Sequence, residues 1–256
     1  MLESVKFANG WQWSACGKHR AAKDYFSLGL NAPLLKAFSH WVETGYQLLA
    51  SGSDYSPRLC SWRFWAKGAK KKTLVCGMGR DSSDSLGRPY PLLVMGTGPI
   101  GNWKDYWDLL PFACEKTWNQ MESLSNRRFA DLKELEGEVC ITKPPRPLWS
   151  EYASQRGNLT DMSSTRNVRS LSWNPEEMKK QAAHLSNETE FFVPLDKGPF
   201  SDPFSYAAYW HSLLKENIGN IPNAVFMGGT TDKTYLAVFK RPLAPDDFVR
   251  LWSITE

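Results

Sequence analysis

The chain has 256 residues, of which 42% are hydrophobic and 23% charged, and its formal net charge is +4. This composition is typical of a globular protein with a sizeable core and excludes a disordered chain. Basic residues are dispersed apart from Lys70-Lys71-Lys72, and no basic stripe with interleaved aromatic residues occurs, so nucleic-acid binding is not expected. The first residues lack the apolar core of a signal peptide, and no apolar stretch approaches the roughly 20 residues that span a bilayer, so we expect neither export nor membrane insertion.

The cysteine and aromatic contents set further bounds. Five cysteines are widely spaced, without a Cys-x-x-Cys pair, which disfavours a disulfide framework or a zinc site and is typical of a reducing cytoplasm. Metal-ligand spacings such as His-x-x-x-His are also absent, so we expect no metal and no cofactor. The aromatic residues include 12 tryptophans, which serve either in a core or at an exposed docking surface.

The first predicted elements are a strand and a helix. Residues 10–18 form a short aromatic strand candidate. Residues 33–49 then place apolar side chains at helical spacing, with Asn31 as a candidate N-cap and Pro33 in the first turn.

Three further strands are predicted at residues 59–65, 73–78 and 90–95. The last two flank a polar loop and are predicted to form a hairpin. Their nearly continuous apolar runs are typical of strands that are covered on both faces, which favours a layered α/β/α domain.

The middle of the chain is predicted to hold a long helix, a strand and a long loop. The helix covers residues 102–124, and Pro111 is expected to bend or interrupt it. An amphipathic segment at 129–135 leads to a strand candidate at 138–142. The polar stretch 143–169 is the best linker or long-loop candidate.

Residues 170–256 are predicted to complete the fold. The expected elements are a strand at 190–193, a helix at 204–217, a hairpin of residues 224–228 and 234–239, and a closing helix from Pro245. We therefore expect a single domain over residues 1–256, of the α/β class. It should be a three-layer α/β/α sandwich with a mixed or mostly antiparallel sheet.

Three short blocks carry the most specific signal. The first contains Gly17-Lys18, Asp24-Tyr25-Phe26 and Gly29, the second is Ser61-Trp62-Arg63-Phe64, and the third contains Asp84, Gly87-Arg88 and Tyr90-Pro91-Leu92. In order and separation they resemble the motifs of the TagF (ImpM) family: Gly-Lys then Gly-Asp-Phe-Val, Trp-Arg-Phe, and Asp-x-x-Gly-Arg-x-Phe-Pro-Leu. Lys23 and Arg20 depart from the family's usual glycine and proline. Trp41 matches a helical tryptophan of the family.

The resemblance covers about residues 10–140. It implies an accessory protein of a bacterial type VI secretion system that is cytoplasmic and not an enzyme. It further implies a negative regulator that acts after translation and by protein contact. The implied partners are components of the secretion system, among them a scaffold protein with a forkhead-associated domain.

The motif residues are interpreted first as architecture. Gly87 can supply a positive φ, and Arg63 and Arg88 can each form a bidentate pair with a carboxylate such as Asp24 or Asp84. For partner binding, the candidates are four aromatic residues whose neighbours are mostly polar: Trp11, Trp13, Tyr25 and Phe26.

The main alternative is a nucleotide-binding or dinucleotide-binding enzyme. Gly96, Gly98 and Gly101 form a Gly-x-Gly-x-x-Gly pattern between a predicted strand and a predicted helix. Pro99 removes an amide donor near the expected pyrophosphate, and the preceding strand is predicted in a hairpin instead of a parallel unit. The acidic residue expected at the next strand is also missing.

Nucleophilic catalysis is a second alternative. Cys16 or Cys76 could act as a nucleophile with His19 or His40 as the base. A buried cysteine is more often a small hydrophobic residue, the histidines show no motif spacing, and Gly-x-Ser-x-Gly does not occur.

Overall fold

A computed structural model describes residues 10–29, 32–52, 59–165, 174–196, 200 and 203–254, with the backbone alone for 158–165. Its eight strands form one sheet in the order β2-β1-β5-β4-β3-β7-β8-β6, and every pairing is antiparallel. The strands are β1 (Gln12–Gly17), β2 (Phe26–Leu28), β3 (Ser61–Lys67), β4 (Thr73–Arg80), β5 (Leu92–Pro99), β6 (Glu190–Pro194), β7 (Ala224–Gly229) and β8 (Thr234–Phe239). The predicted α/β class and the two predicted hairpins are confirmed.

Seven helices cover this sheet within the described residues. They are α1 (Pro33–Ser51), α2 (Leu110–Asn126), α3 (Leu132–Cys140), α4 (Trp149–Thr165), α5 (Pro175–Leu185), α6 (Pro203–Asn217) and α7 (Pro245–Trp252). Strand β3 shows how the layers arise. Trp62 and Phe64 point to the face that α1 and α7 cover, whereas Trp65 points to the opposite face with α2 and α6. Both faces of the sheet are therefore apolar and buried, as predicted from the continuous apolar strands.

Helices α1 and α7 pack closely against each other. A Cβ atom on Gly45 would lie 2.3 Å from Cβ of Phe248, so only glycine allows this approach. Trp41 Nε1 donates to the carbonyl oxygen of Ala244 at 2.8 Å, and Asp247 Oδ2 accepts the amide of Ala244 at 2.7 Å. Trp41 thus connects α1 to the start of α7.

The opposite layer is built around a buried tryptophan–histidine pair. Trp65 Nε1 donates to Nε2 of His211 at 3.1 Å, and Nδ1 of His211 lies 2.7 Å from the carbonyl oxygen of Ala207, so Nδ1 carries the proton. Burial lowers the pKa of His211 to about 4, which keeps the ring neutral near pH 7. Ten of the 11 tryptophans within the described residues are buried, so the aromatic excess there is mainly core.

The predicted helix over 102–124 begins later than expected. Residues 101–106 form turns, Trp107–Leu109 is a 3-10 helix, and α2 starts at Leu110. Pro111 therefore lies in the first turn of α2, where its missing amide hydrogen costs no helical hydrogen bond. The prediction that it bends or interrupts a helix was wrong.

Two predictions in residues 138–169 were also wrong. The strand at 138–142 is the end of α3, which Asp131 caps by accepting the amide of Glu134 at 2.9 Å. The long loop at 143–169 contains α4. This helix is polar, and it is held by tertiary contacts: Tyr152 stacks on Phe112, and Arg156 pairs with the buried Asp108.

Helix α5 was not predicted, although Asn174 before Pro175 is a recognisable start signal, since its side chain accepts the amide of Glu176. At α1 the N-cap position is Ala32, and Asn31 lies outside the described residues. The remaining predicted strands, α6 and α7 are confirmed within two residues at their starts.

The glycine pattern at residues 96–101 belongs to the sheet. Gly96 and Gly98 lie in β5, paired with β4 on one side and, for Gly96, with β1 on the other. A Cβ atom on Gly96 would lie 2.1 Å from the ring of Trp13, and one on Gly98 would lie 2.4 Å from the ring of Trp11. Gly96 and Gly98 therefore lie in a strand, where the absence of a side chain makes room for two tryptophan rings, and they do not form a phosphate-binding loop. The nucleotide-binding site predicted as the alternative was wrong.

Replacement of Gly98 tests this packing role. We expect Gly98→Ala to destabilise the protein by about 1–3 kcal/mol, because the new methyl group overlaps the Trp11 ring. Gly101→Ala is the matched control: a Cβ atom there meets nothing within 4 Å, and a change within about 0.5 kcal/mol is expected. Urea unfolding of both variants measures the difference. Equal stability of the two would contradict the packing role.

Candidate functional site

The first and third motif blocks meet at one end of the sheet. Gly17, the last residue of β1, pairs with Leu92, the first residue of β5. The loops that adjoin this pair, residues 18–25 and 81–91, are here called the paired loops. They contact each other directly, since the amide of Ser85 donates to the carbonyl oxygen of Ala22 at 2.8 Å.

Asp84 is the centre of the paired loops. Its side chain has no exposed surface, and Oδ1 accepts the amides of Leu86 and Arg88, each at 3.0 Å. Oδ2 accepts Nε of Arg88 at 2.7 Å and lies 3.2 Å from Nζ of Lys18. Gly87 adopts a φ of 80°, which closes the turn around the carboxylate. The predicted pairing of Arg88 with Asp84 is confirmed.

The surroundings of Asp84 lower its pKa. Burial by itself would raise the pKa of this carboxyl group, because it penalises the charged form. The hydrogen bonds from the Arg88 backbone, Lys18 and the Arg88 side chain outweigh burial and lower the pKa to about 2. The carboxylate is therefore ionised in the folded protein over the whole physiological range.

Arg88 extends the network to the other loop. Its Nη2 donates to the carbonyl oxygen of Lys23 at 2.5 Å and lies 3.4 Å from Oδ2 of Asp24. Asp24 is exposed and accepts the amide of Tyr25 at 2.7 Å. One guanidinium thus connects the first and third motif blocks.

A cluster of tyrosines lies beside this network. The ring of Tyr90 packs edge-on against the rings of Tyr25 and of Tyr46 in α1, with distances between ring centroids of 5.5 and 4.7 Å. Burial is the first cause of the raised pKa of Tyr90, so its hydroxyl stays protonated. Tyr25 keeps 45% of its surface exposed, and Leu86 of the third block keeps 68%. These two side chains are the exposed large hydrophobic residues of the paired loops.

The other aromatic candidates for partner binding are buried. Trp11, Trp13 and Phe26 keep 1%, 3% and 6% of their surface exposed, so the prediction was wrong for these three. Trp11 and Trp13 fill the space above Gly98 and Gly96, and Phe26 enters the core from β2. Gln12 and Ser14, the polar neighbours of the two tryptophans, lie within β1, and Ser14 is itself buried, so polar neighbours in the sequence did not indicate exposure.

The second block, Trp62-Arg63-Phe64, serves the sheet interior. Trp62 Nε1 donates to the carbonyl oxygen of Leu251 in α7 at 3.2 Å, and Phe64 stacks on Phe226 of β7. Arg63 forms a bidentate pair with Glu122 of α2, with distances of 2.9 and 2.8 Å. The predicted bidentate pair of Arg63 with a carboxylate is confirmed, but its partner is Glu122 and not Asp24 or Asp84, because Arg63 faces the α2 layer.

The surroundings of the two candidate nucleophiles, Cys16 and Cys76, disfavour the reactive form of the thiol. Burial raises the pKa of the Cys16 thiol and of the Cys76 thiol, which disfavours the reactive thiolate. His19 is buried, and its Nδ1 accepts a hydrogen bond from the amide of Ala21 at 3.1 Å. The Nδ1 atom of His40 lies 3.7 Å from Oε2 of Glu43. Each histidine is thus explained by local contacts.

A cavity of about 470 Å³ opens next to the paired loops, and we call it the arginine groove. Four arginines from three parts of the chain line it: Arg20, Arg80, Arg127 and Arg128. The sequence analysis missed this feature, because only Arg127-Arg128 are adjacent and the sheet brings the others to them.

Searches for metal and membrane features gave two findings. Among the residues that the structure describes, no group of three or more His, Cys, Asp or Glu side chains is arranged to hold a metal ion. Within the same residues, no helix is both long and apolar enough to cross a membrane.

Comparison with known proteins identifies the first half of the chain. Residues 14–137 match the sequence profile of the TagF N-terminal domain, which is described as type VI secretion system-associated. Over these residues the chain is similar to TagF N-terminal domains. The motif resemblance is thereby confirmed for this part of the chain. All three motif blocks and both paired loops lie within the matched residues.

A solved structure shares the whole fold. The crystal structure of PA0076 from Pseudomonas aeruginosa PAO1 is 16% identical, covers 95% of both chains and superposes with a TM-score of 0.54. At this identity the similarity concerns the fold alone. A search among curated proteins gave no match.

Removal of the Arg88 side chain tests the role of the network. We expect Arg88→Ala to lower Tm by about 3–6 °C, because Asp84 remains buried with one cationic partner fewer and the two loops lose their connection. Arg146→Ala is the control, since this exposed arginine has no ion pair with the described residues. Calorimetry that gave equal Tm values for both variants would contradict the structural role.

The depressed pKa of Asp84 predicts a dependence of stability on pH. The carboxylate stabilises the fold fully above its ordinary pKa of 3.8, and this contribution is lost as the pH falls through about 2. The difference in unfolding free energy between wild type and Asp84→Asn should therefore be constant above pH 4 and shrink toward pH 2. Denaturant titrations at several pH values measure it. A difference that grows with acidity would contradict the assigned network.

Proposed function

We propose that this protein is a cytoplasmic negative regulator of a type VI secretion system, acting after translation and by contact with a component of the system. The observation that carries the proposal is the similarity to TagF N-terminal domains at residues 14–137. The candidate partners are components of the secretion system, with the forkhead-associated-domain scaffold as the first to test.

The geometry supports a binding role in preference to catalysis. The motif residues of the paired loops are used to hold a loop surface: Asp84 is saturated by donors, and Arg88 joins two chain segments. The thiol groups are protonated and buried, and the glycines of the alternative site pack against tryptophans. We therefore propose that the protein is not an enzyme.

The proposed contact surface is the exposed side of the paired loops. Tyr25 and Leu86 present apolar surface on a backbone that the Asp84 network holds in place. Rigid, exposed apolar side chains within a polar surround are typical of interface anchors. This surface replaces the predicted patch that included Trp11, Trp13 and Phe26.

Deletion of the gene tests the proposal. We expect higher amounts of secreted type VI substrates in the culture supernatant, with unchanged transcripts and unchanged cellular amounts of the secretion components. Expression of the wild-type protein should restore the low level. Unchanged secretion after deletion would refute the regulatory role.

The same strain tests the contact surface. Leu86→Asp should fail to restore repression, because a charge enters the proposed interface, whereas Ile141→Asp should restore it. Leu86 and Ile141 are similarly exposed, at 68% and 65%. The two variants therefore introduce the same charge on similarly exposed side chains and differ in where on the surface it lies. Restoration by both variants would refute the assignment of the surface but leave the regulatory role intact.

A further inference from the structure

The arginine groove contains more positive charge than its own side chains neutralise. Asp81 is the single acidic residue among its described lining residues. Both carboxylate oxygens of Asp81 are engaged, with the amide of Cys60 at 2.9 Å and with Nε1 of Trp252 at 2.8 Å. This acid therefore faces α7 and the start of β3. It attracts Arg80 electrostatically but forms no ion pair with the described arginines of the groove.

The four arginines differ in their own contacts. Arg127 pairs with Glu134 and Glu138 of α3 at 3.5 and 3.2 Å, and Arg80 donates to the neutral side chains of Ser125 and Asn126. Arg20 and Arg128 are exposed and form no ion pair with the described residues. Arg20 and Arg128 thus line the groove without an ion pair among the described residues, and Arg80, which lines it with them, is oriented by its hydrogen bonds.

A second cavity of about 470 Å³ continues the groove along the end of the sheet. The two cavities share Leu59 and Arg80. The second cavity is lined by apolar side chains that include Phe204 and Met227, and its Arg63 is neutralised by Glu122. A cationic half is therefore continuous with a neutral, more apolar half.

We propose that this composite groove binds an extended acidic segment of a partner protein, with carboxylates on Arg20, Arg80 and Arg128 and an apolar side chain in the second cavity. Arginine forks bind carboxylates in bidentate fashion, and arginine clusters recognise acidic motifs. The arginines are distributed along a cavity that continues past Arg80, which suits several carboxylates spaced along a chain better than one compact anion. The inference rests on the proposed function, since it names the chemistry by which a partner is held.

Direct binding measurements test the groove with the full chain. The probe is a short fluorescent peptide rich in Asp and Glu with one Leu, and the neutral comparison carries Asn and Gln in place of the acids. Fluorescence anisotropy should show binding of the acidic peptide alone. The affinity should fall as salt is raised to about 0.15 M, where the Debye length is about 8 Å.

Charge reversal locates the binding. We expect Arg20→Glu combined with Arg128→Glu to weaken binding at least about tenfold, which corresponds to about 1.4 kcal/mol. The matched control is Lys71→Glu combined with Lys72→Glu, which changes the net charge equally. These lysines are exposed in the β3–β4 turn, at the opposite end of the strands from Leu59 and Arg80. All four substitutions lie on the surface, and equal Tm values would verify that both variants fold.

Several outcomes would overturn the inference. Equal losses in both double variants would mean that binding reflects net charge, and absence of binding by the acidic peptide would refute the groove directly. Inorganic phosphate or anionic vesicles that bind at the groove when the peptide does not would assign it to another anion. Loss confined to the Arg20 and Arg128 variant, with retention in the lysine variant, supports it.

The two proposals fail separately. If deletion of the gene leaves secretion unchanged, the regulatory role fails whatever the peptide does. If deletion raises secretion but the Arg20 and Arg128 double variant represses secretion to the same degree as the wild-type protein, the groove is not the contact through which the protein represses. In that case this inference fails and the regulatory role stands.

Discussion

Burial of both faces of the eight-stranded sheet is the constraint on which the structure depends. In β3, Trp62 and Phe64 are buried on one face of the sheet and Trp65 is buried on the other face. Two helical layers are required to satisfy them. Hydrogen bonds then direct each layer: Trp62 binds the end of α7, Trp118 of α2 donates to the carbonyl oxygen of Phe64, and Trp65 binds His211 of α6. Trp62, Trp65 and Trp118 thus each combine a large apolar area with one directed hydrogen bond.

The paired loops depend on this frame and on one buried carboxylate. The β1–β5 pairing brings residues 17 and 92 together, and the loops beyond them must fold back over the end of the sheet. Asp84 then accepts backbone amides from its own loop and cationic groups from both loops. The motif that identifies the family is therefore mainly a means of holding a surface. Under the proposed function, a partner contacts Tyr25 and Leu86, two exposed side chains on the loops that the motif residues hold in place.

Much of the fold could be predicted from local pattern. Strands with continuous apolar residues, the Pro33 and Pro245 helix starts, and the hairpin of β7 and β8 all carry strong signals within a few residues. The failures were polar or short elements: α4 depends on Tyr152 stacking on Phe112 and on the pairing of Arg156 with Asp108. Contacts of that kind join distant parts of the chain and leave no local periodicity. For the site, the residue types predicted that Arg63 and Arg88 pair with carboxylates, whereas the choice of Glu122 for Arg63 was not predictable, because it depends on how α2 packs on β3.

The sequence by itself determined the TagF resemblance, the α/β class and the motif residues, because these depend on residue types at short separation. Tertiary structure decided which aromatic residues are exposed, because burial depends on what packs from elsewhere: Gly96 and Gly98 receive Trp13 and Trp11, while Tyr25 remains at the surface. It also decided that Arg20, Arg80 and Arg128 line one cavity. Residues this far apart in the chain acquire a common electrostatic field only when the sheet and α2 bring them to one groove.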